Sequence, residues 1–273
     1  MKIRMKKMLP WILTAALAGS ALAGCSAQQK GGTVNTDGST SMADVMGALT
    51  EAFREKEPDI TVNYSGTGSG SGISGVLDGT CDIGLSSRGL KQEEVDQGAV
   101  AHVVALDGVA VVVNSKNAVT DLTTEQIADI FTGKITNWSE LGGADAPIAV
   151  YGREDGSGTR SAFEEIVGVE GACVYRSEYG STGDVIGNVA SNENAIGYAS
   201  LSAVDSSVTA VKVNGVMPSE ATVKDGSYTI QRPFVMVTKE GTQLSEAAQT
   251  FLDFATSAEA AQYITAAGAV YPN

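Results

Sequence analysis

The chain has 273 residues, 43 % of them hydrophobic and 18 % charged, with a net charge of −14 and a single histidine. So acidic a chain is a poor partner for nucleic acid or for an anionic lipid surface. One histidine and three cysteines without a C-x-x-C spacing argue against a zinc site, and the length suits one large domain or two smaller ones.

The N-terminus carries Lys2, Arg4, Lys6 and Lys7, then an apolar stretch from Met8 to about Ala23 that ends in Leu22-Ala23-Gly24-Cys25. Residues 1–24 have the layout of a secretory signal peptide, too short for a comfortable membrane span. The Leu-Ala-Gly-Cys ending resembles the bacterial lipobox. That resemblance implies that Cys25 is lipidated and becomes the new N-terminus, with residues 25–32 as a flexible tether. The expected location is the extracytoplasmic face of the cell membrane, reached through the lipid alone. Loss of the leader removes four basic residues and no acidic ones, leaving 14 basic against 32 acidic, a net −18. Net charge then repels an anionic ligand, so any anion site must be local. Cys81 and Cys173 are expected as buried free thiols, with a disulfide as the alternative.

Beyond the tether, Thr33-Val34 starts a short strand ending at Asp37-Gly38-Ser39-Thr40-Ser41. Val45, Met46, Leu49 and Phe53 fall at helical spacing, so a helix is expected from about Met42 to Lys56, stopped by Pro58. Ile60 to Tyr64 alternates as a strand, and a Gly/Ser turn at 66–72 leads into a helix. Asp82 to Leu85 is a strand ending at Ser86-Ser87-Arg88. Ala101 to Leu106 and Val109 to Asn114 are expected as two strands. Thr123 to Phe131 is a helix capped by Thr123 or Thr124. Ile148 to Tyr151 is a strand, the turn Asp155 to Thr159 opens a helix to about Val167, and Asp184 to Ala190 is helical. Strands follow at Ile196 to Ala199, Val208 to Val213 and Arg232 to Thr238. Helices at about Leu244 to Thr256 and Ala258 to Ala267 close the chain. The alternation is that of an α/β protein with mostly parallel sheets.

Three segments share one design: Gly38-Ser39-Thr40-Ser41, Gly66-Thr67-Gly68-Ser69-Gly70-Ser71-Gly72 and Asp155-Gly156-Ser157-Gly158-Thr159. In each, a strand runs through small hydroxyl residues into a helix start. The first N–H groups of a helix have no intrahelical partner and carry partial positive charge. Glycine lets the backbone approach a ligand, and Ser and Thr add rotatable donors. Converging in one cleft, such ends would wrap an oxyanion. Taken singly, each is also what an ordinary capped helix start looks like.

Other chemistries lack their parts. Gly70-x-Gly72-x-x-Gly75 fits the dinucleotide fingerprint, but no acidic ribose partner ends the next strand. No Gly-Lys-Ser/Thr follows any turn, Gly156-Ser157-Gly158 is not a nucleophile elbow, and His102 sits in an apolar run as a structural histidine. No metal cluster presents itself and no cofactor is implied.

Taken together, Gly38 to Ser41, Tyr64 to Gly72, Asp82 to Arg88, Phe131-Thr-Gly-Lys-Ile-Thr-Asn-Trp138, Arg153 to Thr159 and Ile196-Gly197-Tyr198 resemble the phosphate-binding substrate-binding proteins of bacterial ABC transporters. The resemblance covers almost all of the mature chain. It implies a two-lobed clamshell of the periplasmic-binding-protein type (type II), each lobe a mostly parallel sheet flanked by helices. Residues 33–113 plus 235–273 would form one lobe and 114–234 the other, with crossings near Val113-Ser115 and Gln231-Phe234. By motif position, Thr40, Ser41, Ser69, Ser87, Arg153, Ser157, Gly158 and Thr159 would bind phosphate. Ser39, Arg88, Asp107 and Asp155 are further candidates, Asp155 as the partner that holds Arg153 in place. Well-known members carry an Asp at the position of Ser87, where it accepts the phosphate proton. Here Asp107 is a candidate replacement acceptor, and Arg88 is expected either at the anion or paired with Asp107. The implied partners are phosphate and an ABC permease, for a monomer that is not an enzyme. Another tetrahedral oxyanion (sulfate, molybdate, tungstate), a secreted phosphate-ester hydrolase, and an adhesin or sensor on the same clamshell stay open as alternatives.

Overall fold

A computed structural model describes residues 31–272; the expected signal peptide and Cys25 lie outside them. The strand β1 (Gly32–Gly38) alternates, sending Val34 and Thr36 inward. A short 3-10 turn at Thr40–Met42 leads into α1 (Ala43–Lys56), whose Val45, Met46, Leu49, Ala52 and Phe53 form one buried stripe. Then come β2 (Ile60–Gly66), α2 (Ser69–Asp78), β3 (Ile83–Ser86) and the short α3 (Gln92–Asp96).

The two strands expected on either side of Asp107-Gly108 are one, β4 (Ala99–Asn114). Asp-Gly reads as a turn from sequence, but here neighbouring strands supply partners along the whole length and the Asp107 carboxylate is neutralised in place by Arg232. After β4 come β5 (Asp121–Leu122), α4 (Thr124–Phe131), β6 (Ala149–Arg153), α5 (Gly158–Val167), β7 (Ser177–Tyr179) and α6 (Thr182–Ser191). The chain continues through β8 (Ala195–Ser200), β9 (Val208–Ala210), β10 (Lys212–Val213), α7 (Glu220–Lys224) and β11 (Gln231–Lys239) to α8 (Glu246–Thr256) and α9 (Ala261–Ala266). Thr123 caps α4 by accepting from the Gln126 N–H, as its position suggested.

The strands lie in the order β2-β1-β3-β11-β4-β8-β6-β7, with β9 also on β4 and β5 pairing β10 apart. The outer pairs are parallel, β1 with β2 and β3, β6 with β7 and β8. The central strands run the other way: β11 is antiparallel to β3 and β4, and β4 to β8. Along β4, residues up to Gly108 pair with β11, and Val109 to Val113 pair with β8. Pro233 is tolerated within β11 because Leu106, opposite it, sends both its backbone groups to Val270 instead.

Both faces of each half of the sheet are covered, which makes the molecule two-lobed. In the first lobe α1, α8 and α9 bury Leu49, Phe53, Phe251 and Ile264 against Ile83 and Phe234, while α2 packs Ile73 and Val76 on the other face. In the second, Ile127, Phe131 and Phe163 cover one face and Val185 and Val189 the other. Among the described residues no helix is long and apolar enough to cross a membrane.

Phe53 is 1 % exposed and meets Phe251 edge-on at 5.1 Å between ring centroids. Phe53→Ala is expected to cost about 3–5 kcal/mol, because the site cannot collapse around the lost ring. A fall in the urea midpoint at constant m checks it; a midpoint within error of wild type would remove Phe53 from the core.

Candidate functional site

The three Ser/Gly turns meet between the lobes, and a fourth joins them. Ser41 Oγ lies 2.7 Å from Thr159 Oγ1 and 2.9 Å from Thr182 Oγ1. Thr40 Oγ1 is 3.3 Å from Thr182 Oγ1 and accepts from the Thr182 N–H at 3.3 Å. Ser69 Oγ accepts from the Ser87 N–H at 3.1 Å and sits 3.3 Å from Ser87 Oγ. Ser41, Ser69, Ser87 and Thr159 are all buried. The starts of α2, α5 and α6 and the 3-10 turn before α1 thus point their hydroxyl-rich ends into one place.

Thr182 was not among the residues singled out from sequence. The signal was present: Gly180-Ser181-Thr182-Gly183 is a hydroxyl turn of the same kind, and Ser181 caps α6 by accepting from the Asp184 N–H. The expected helix starts at Asp184, two residues after the observed start, which leaves this turn outside it.

Arg153 sits at the end of β6, 2 % exposed. Its guanidinium donates to the Tyr179 carbonyl (3.0 Å), the Gly180 carbonyl (2.7 Å) and Thr182 Oγ1 (3.1 Å). These partners are all neutral. Burial pulls its pKa down to about 10, so the group stays charged at neutral pH. Its backbone is pinned as well. The N–H donates to Tyr198 Oη (3.1 Å), and the carbonyl accepts from Arg160 Nη1 (3.0 Å). Tyr175 donates its hydroxyl to Glu164 (2.9 Å), which leaves Tyr198 to donate to Tyr175 (3.1 Å). A hydrogen-bond relay therefore runs from the Arg153 amide to a buried carboxylate. Tyr198 also stacks on Phe163 at 4.2 Å. Burial pushes the Tyr198 phenol up, so it remains neutral.

Several charged candidates are placed elsewhere. Asp155 does not hold Arg153: its side chain is 97 % exposed and lies 3.2 Å from Arg160. Arg88 neither reaches the hydroxyl cluster nor pairs with Asp107; Glu94 takes two of its nitrogens at 2.9 and 2.6 Å. Asp107 is occupied by Arg232 and by Ser200 Oγ, which donates at 2.8 Å. The Ser39 backbone is used to close the β1 turn, its N–H on the Leu85 carbonyl and its own carbonyl accepting from Tyr64 Oη. Ser157 caps α5, accepting from the Arg160 N–H at 3.3 Å and keeping its own proton to donate. His102 bonds Thr238 through Nε2 at 2.9 Å. Cys81 and Cys173 are half-buried free thiols, both pushed up to about 11 by burial.

The lobes close directly on Gly158. A Cβ there would stand 2.2 Å from Ser69 Oγ and 2.8 Å from Ser87 Oγ, on the opposite lobe. Beside it the Gly70 N–H donates across the cleft to the Gly156 carbonyl at 2.9 Å.

Residues 24–259 match a family model described as a PBP superfamily domain. The chain belongs to that superfamily. A phosphate-binding protein PstS of Bacillus subtilis (strain 168) is 36 % identical over 233 residues, covering 83 % of this chain and 76 % of that protein. The PstS of Borreliella burgdorferi is 29 % identical over 265 residues, 93 % of this chain and 94 % of the relative. Among solved structures, a Clostridium perfringens protein assigned to phosphate ABC transport and crystallised with bound phosphate superposes with a TM-score of 0.86 at 44 % identity, over 89 % of this chain and 100 % of that one. An ABC-type phosphate transport receptor from Vibrio cholerae gives 0.72 at 34 % identity, over 88 % and 100 %.

Gly158→Ala is expected to fold normally yet hold the lobes apart, because its clash is with the other lobe. Small-angle scattering should give a larger radius of gyration than wild type. An unchanged radius would mean that closure does not pass through this contact.

Proposed function

We propose that the protein captures inorganic phosphate between its lobes and delivers it to an ABC permease on the extracytoplasmic side of the membrane, held there by the lipid on Cys25. The observation that carries this reading is Arg153: a buried cation whose hydrogen-bond partners are all neutral, one of them Thr182, whose hydroxyl also meets Ser41 and through it Thr159. A buried charge requires a counter-charge, and an oxyanion is the ligand that satisfies the arginine and the surrounding donors together.

Capture needs no chemical step. Thr40, Ser41, Ser69 and Ser87 stand on one lobe, and Arg153, Ser157, Gly158, Thr159 and Thr182 on the other. An anion bonded to both sets favours the closed state, since only there are all its contacts made at once. We place the hinge on β4 between Gly108 and Val109, where its partner changes from β11 to β8, and on the adjoining Ile230-Gln231 link. That is earlier on both strands than the crossings expected from sequence. The permease then takes the anion by drawing the lobes apart.

Ser87 favours a second reading, another tetrahedral oxyanion such as sulfate. A hydroxyl both donates and accepts, so it serves a protonated or an unprotonated oxygen alike. Titration calorimetry on the soluble domain with phosphate and then sulfate separates the two: phosphate heat alone supports the first, and tight sulfate binding alone overturns it. Arg153→Ala is expected to weaken phosphate binding at least about tenfold, or ~1.4 kcal/mol, with the fold intact. Unchanged affinity in that variant would sink the site assignment. Thr182→Val, which removes the hydroxyl at nearly constant shape, is expected to weaken binding in the same direction by a smaller factor.

A further inference from the structure

Arg232 lies at the start of β11, opposite Asp107 of β4 in the register, and is 3 % exposed. Asp107 holds it by one edge: Nε donates to Oδ2 at 3.1 Å and Nη2 to the same oxygen at 2.9 Å. The other Asp107 oxygen is taken by Ser200. A guanidinium is a rigid planar fork. With its Nε–Nη2 edge turned to Asp107, Nη1 faces the opposite way. Nη1 is buried and has no hydrogen-bond partner among the described residues.

Neutralising Asp107 does not account for this arrangement. A buried ion pair is commonly no more stable than a well-packed apolar pair of the same volume, and a buried cationic donor left unmet adds a further penalty. Its position supplies the reason. Arg232 lines an interlobe cleft of about 850 Å³ that also holds Arg88, Arg160 and Glu164 and that touches the hydroxyl cluster's own segments only through Asp155, Gly156 and Ser157, in the turn that opens α5. Its charge reaches Arg153: burial is the main influence lowering the Arg153 pKa, and Arg232 is the neighbouring cation that lowers it further. Both guanidinium groups are buried and, of the two, Asp107 bonds only Arg232, so an excess positive charge and a free donor remain. Phosphate carries up to two negative charges near neutral pH, and Arg153 supplies one positive charge.

Resting on the phosphate reading above, we propose that Arg232 is a second guanidinium ligand of the captured anion, held by Asp107 along one edge so that Nη1 is presented to an anion oxygen. Because Arg232 stands on the strand that links the lobes, the same bond ties ligand capture to the hinge.

The decisive variant is the double substitution Asp107→Asn with Arg232→Gln, which removes both charges so that neither is left bare. Calorimetric titration with phosphate is run on it and on wild type. The double variant is expected to melt cooperatively and to bind phosphate at least about tenfold more weakly. Wild-type affinity in the double variant would overturn this assignment alone. A wild-type protein that binds no phosphate would overturn the functional reading and this assignment with it. Should the double variant not fold, a crystal structure of the wild-type phosphate complex decides: Nη1 within about 3.2 Å of a phosphate oxygen supports the assignment, and Nη1 turned away beyond hydrogen-bond distance overturns it.

Discussion

An arginine buried without a carboxylate is the constraint from which the rest of the site follows. Arg153 is withdrawn from water at the end of β6, and among the described residues its side chain hydrogen-bonds two carbonyls and a hydroxyl and no carboxylate, with Glu154 and Asp184 acting on it only through space. Those contacts orient the guanidinium but do not neutralise it. The surrounding structure is built to keep it in place. Arg160 and Tyr198 fix its backbone from both sides, and the tyrosine is itself fixed by Tyr175, Glu164 and the Phe163 ring. Such rigidity has a use only if a ligand supplies the missing charge, since otherwise the packing would preserve an unfavourable state. It also lowers the cost of binding, because the donors do not have to be ordered when the anion arrives.

The second requirement is that the ligand be shared between lobes. The hydroxyls of the first lobe sit on helix starts that follow β1 and β2, and those of the second on the starts of α5 and α6. Neither half alone surrounds an anion. Gly158 allows them to meet, since any side chain there would strike Ser69 and Ser87. The lobes are joined by strands rather than by a free loop, so they approach along a limited set of directions. β4 changes neighbours at Gly108–Val109, where the residue before the change is Asp107 and its partner across the ladder is Arg232. A buried charged pair at that point, the proposed hinge, holds the register of both strands.

Much of this was legible in the sequence, and the limits are physical. The turns at 38–41, 66–72 and 155–159 stand out because three of them repeat one pattern of glycine and hydroxyl residues before a helix, although each alone is what an ordinary cap looks like. Phe131 to Trp138 was equally distinctive but serves packing: Trp138 is 1 % exposed and donates its indole N–H to the Asn194 carbonyl. The charged residues were placed less well. A carboxylate pairs with whatever cation the fold brings near, and for Asp107 that cation lies 125 residues away. Arg88 found Glu94 across a local turn, and Asp155 stayed on the surface beside Arg160. Short-range patterns report helix starts well because a cap is a local interaction, whereas ion pairs depend on the finished topology. The single long β4 shows the same limit, since Asp-Gly signals a turn until a buried arginine arrives to neutralise the aspartate.

The acidity of the chain also shapes how an anion site must work. With a net charge of −14 over the whole sequence, long-range attraction does not bring an anion in, and encounter is slower than for a steered ligand. Affinity must therefore come from contacts formed after entry. Buried hydrogen bonds suit this purpose, because a closed cleft excludes the salt that screens exposed charges. Hydroxyls and helix starts add donors without adding net charge, which limits the repulsion among them when the lobes shut. Arg153 and the Asp107-bound Arg232 are both buried, and together they leave a local positive excess that the acidic exterior does not cancel at short range. Discrimination then rests on the number and direction of donors and acceptors around the anion, not on the sign of the protein as a whole. In the proposed site Ser87 bears on that discrimination, because its hydroxyl can reverse its role where a carboxylate could only accept.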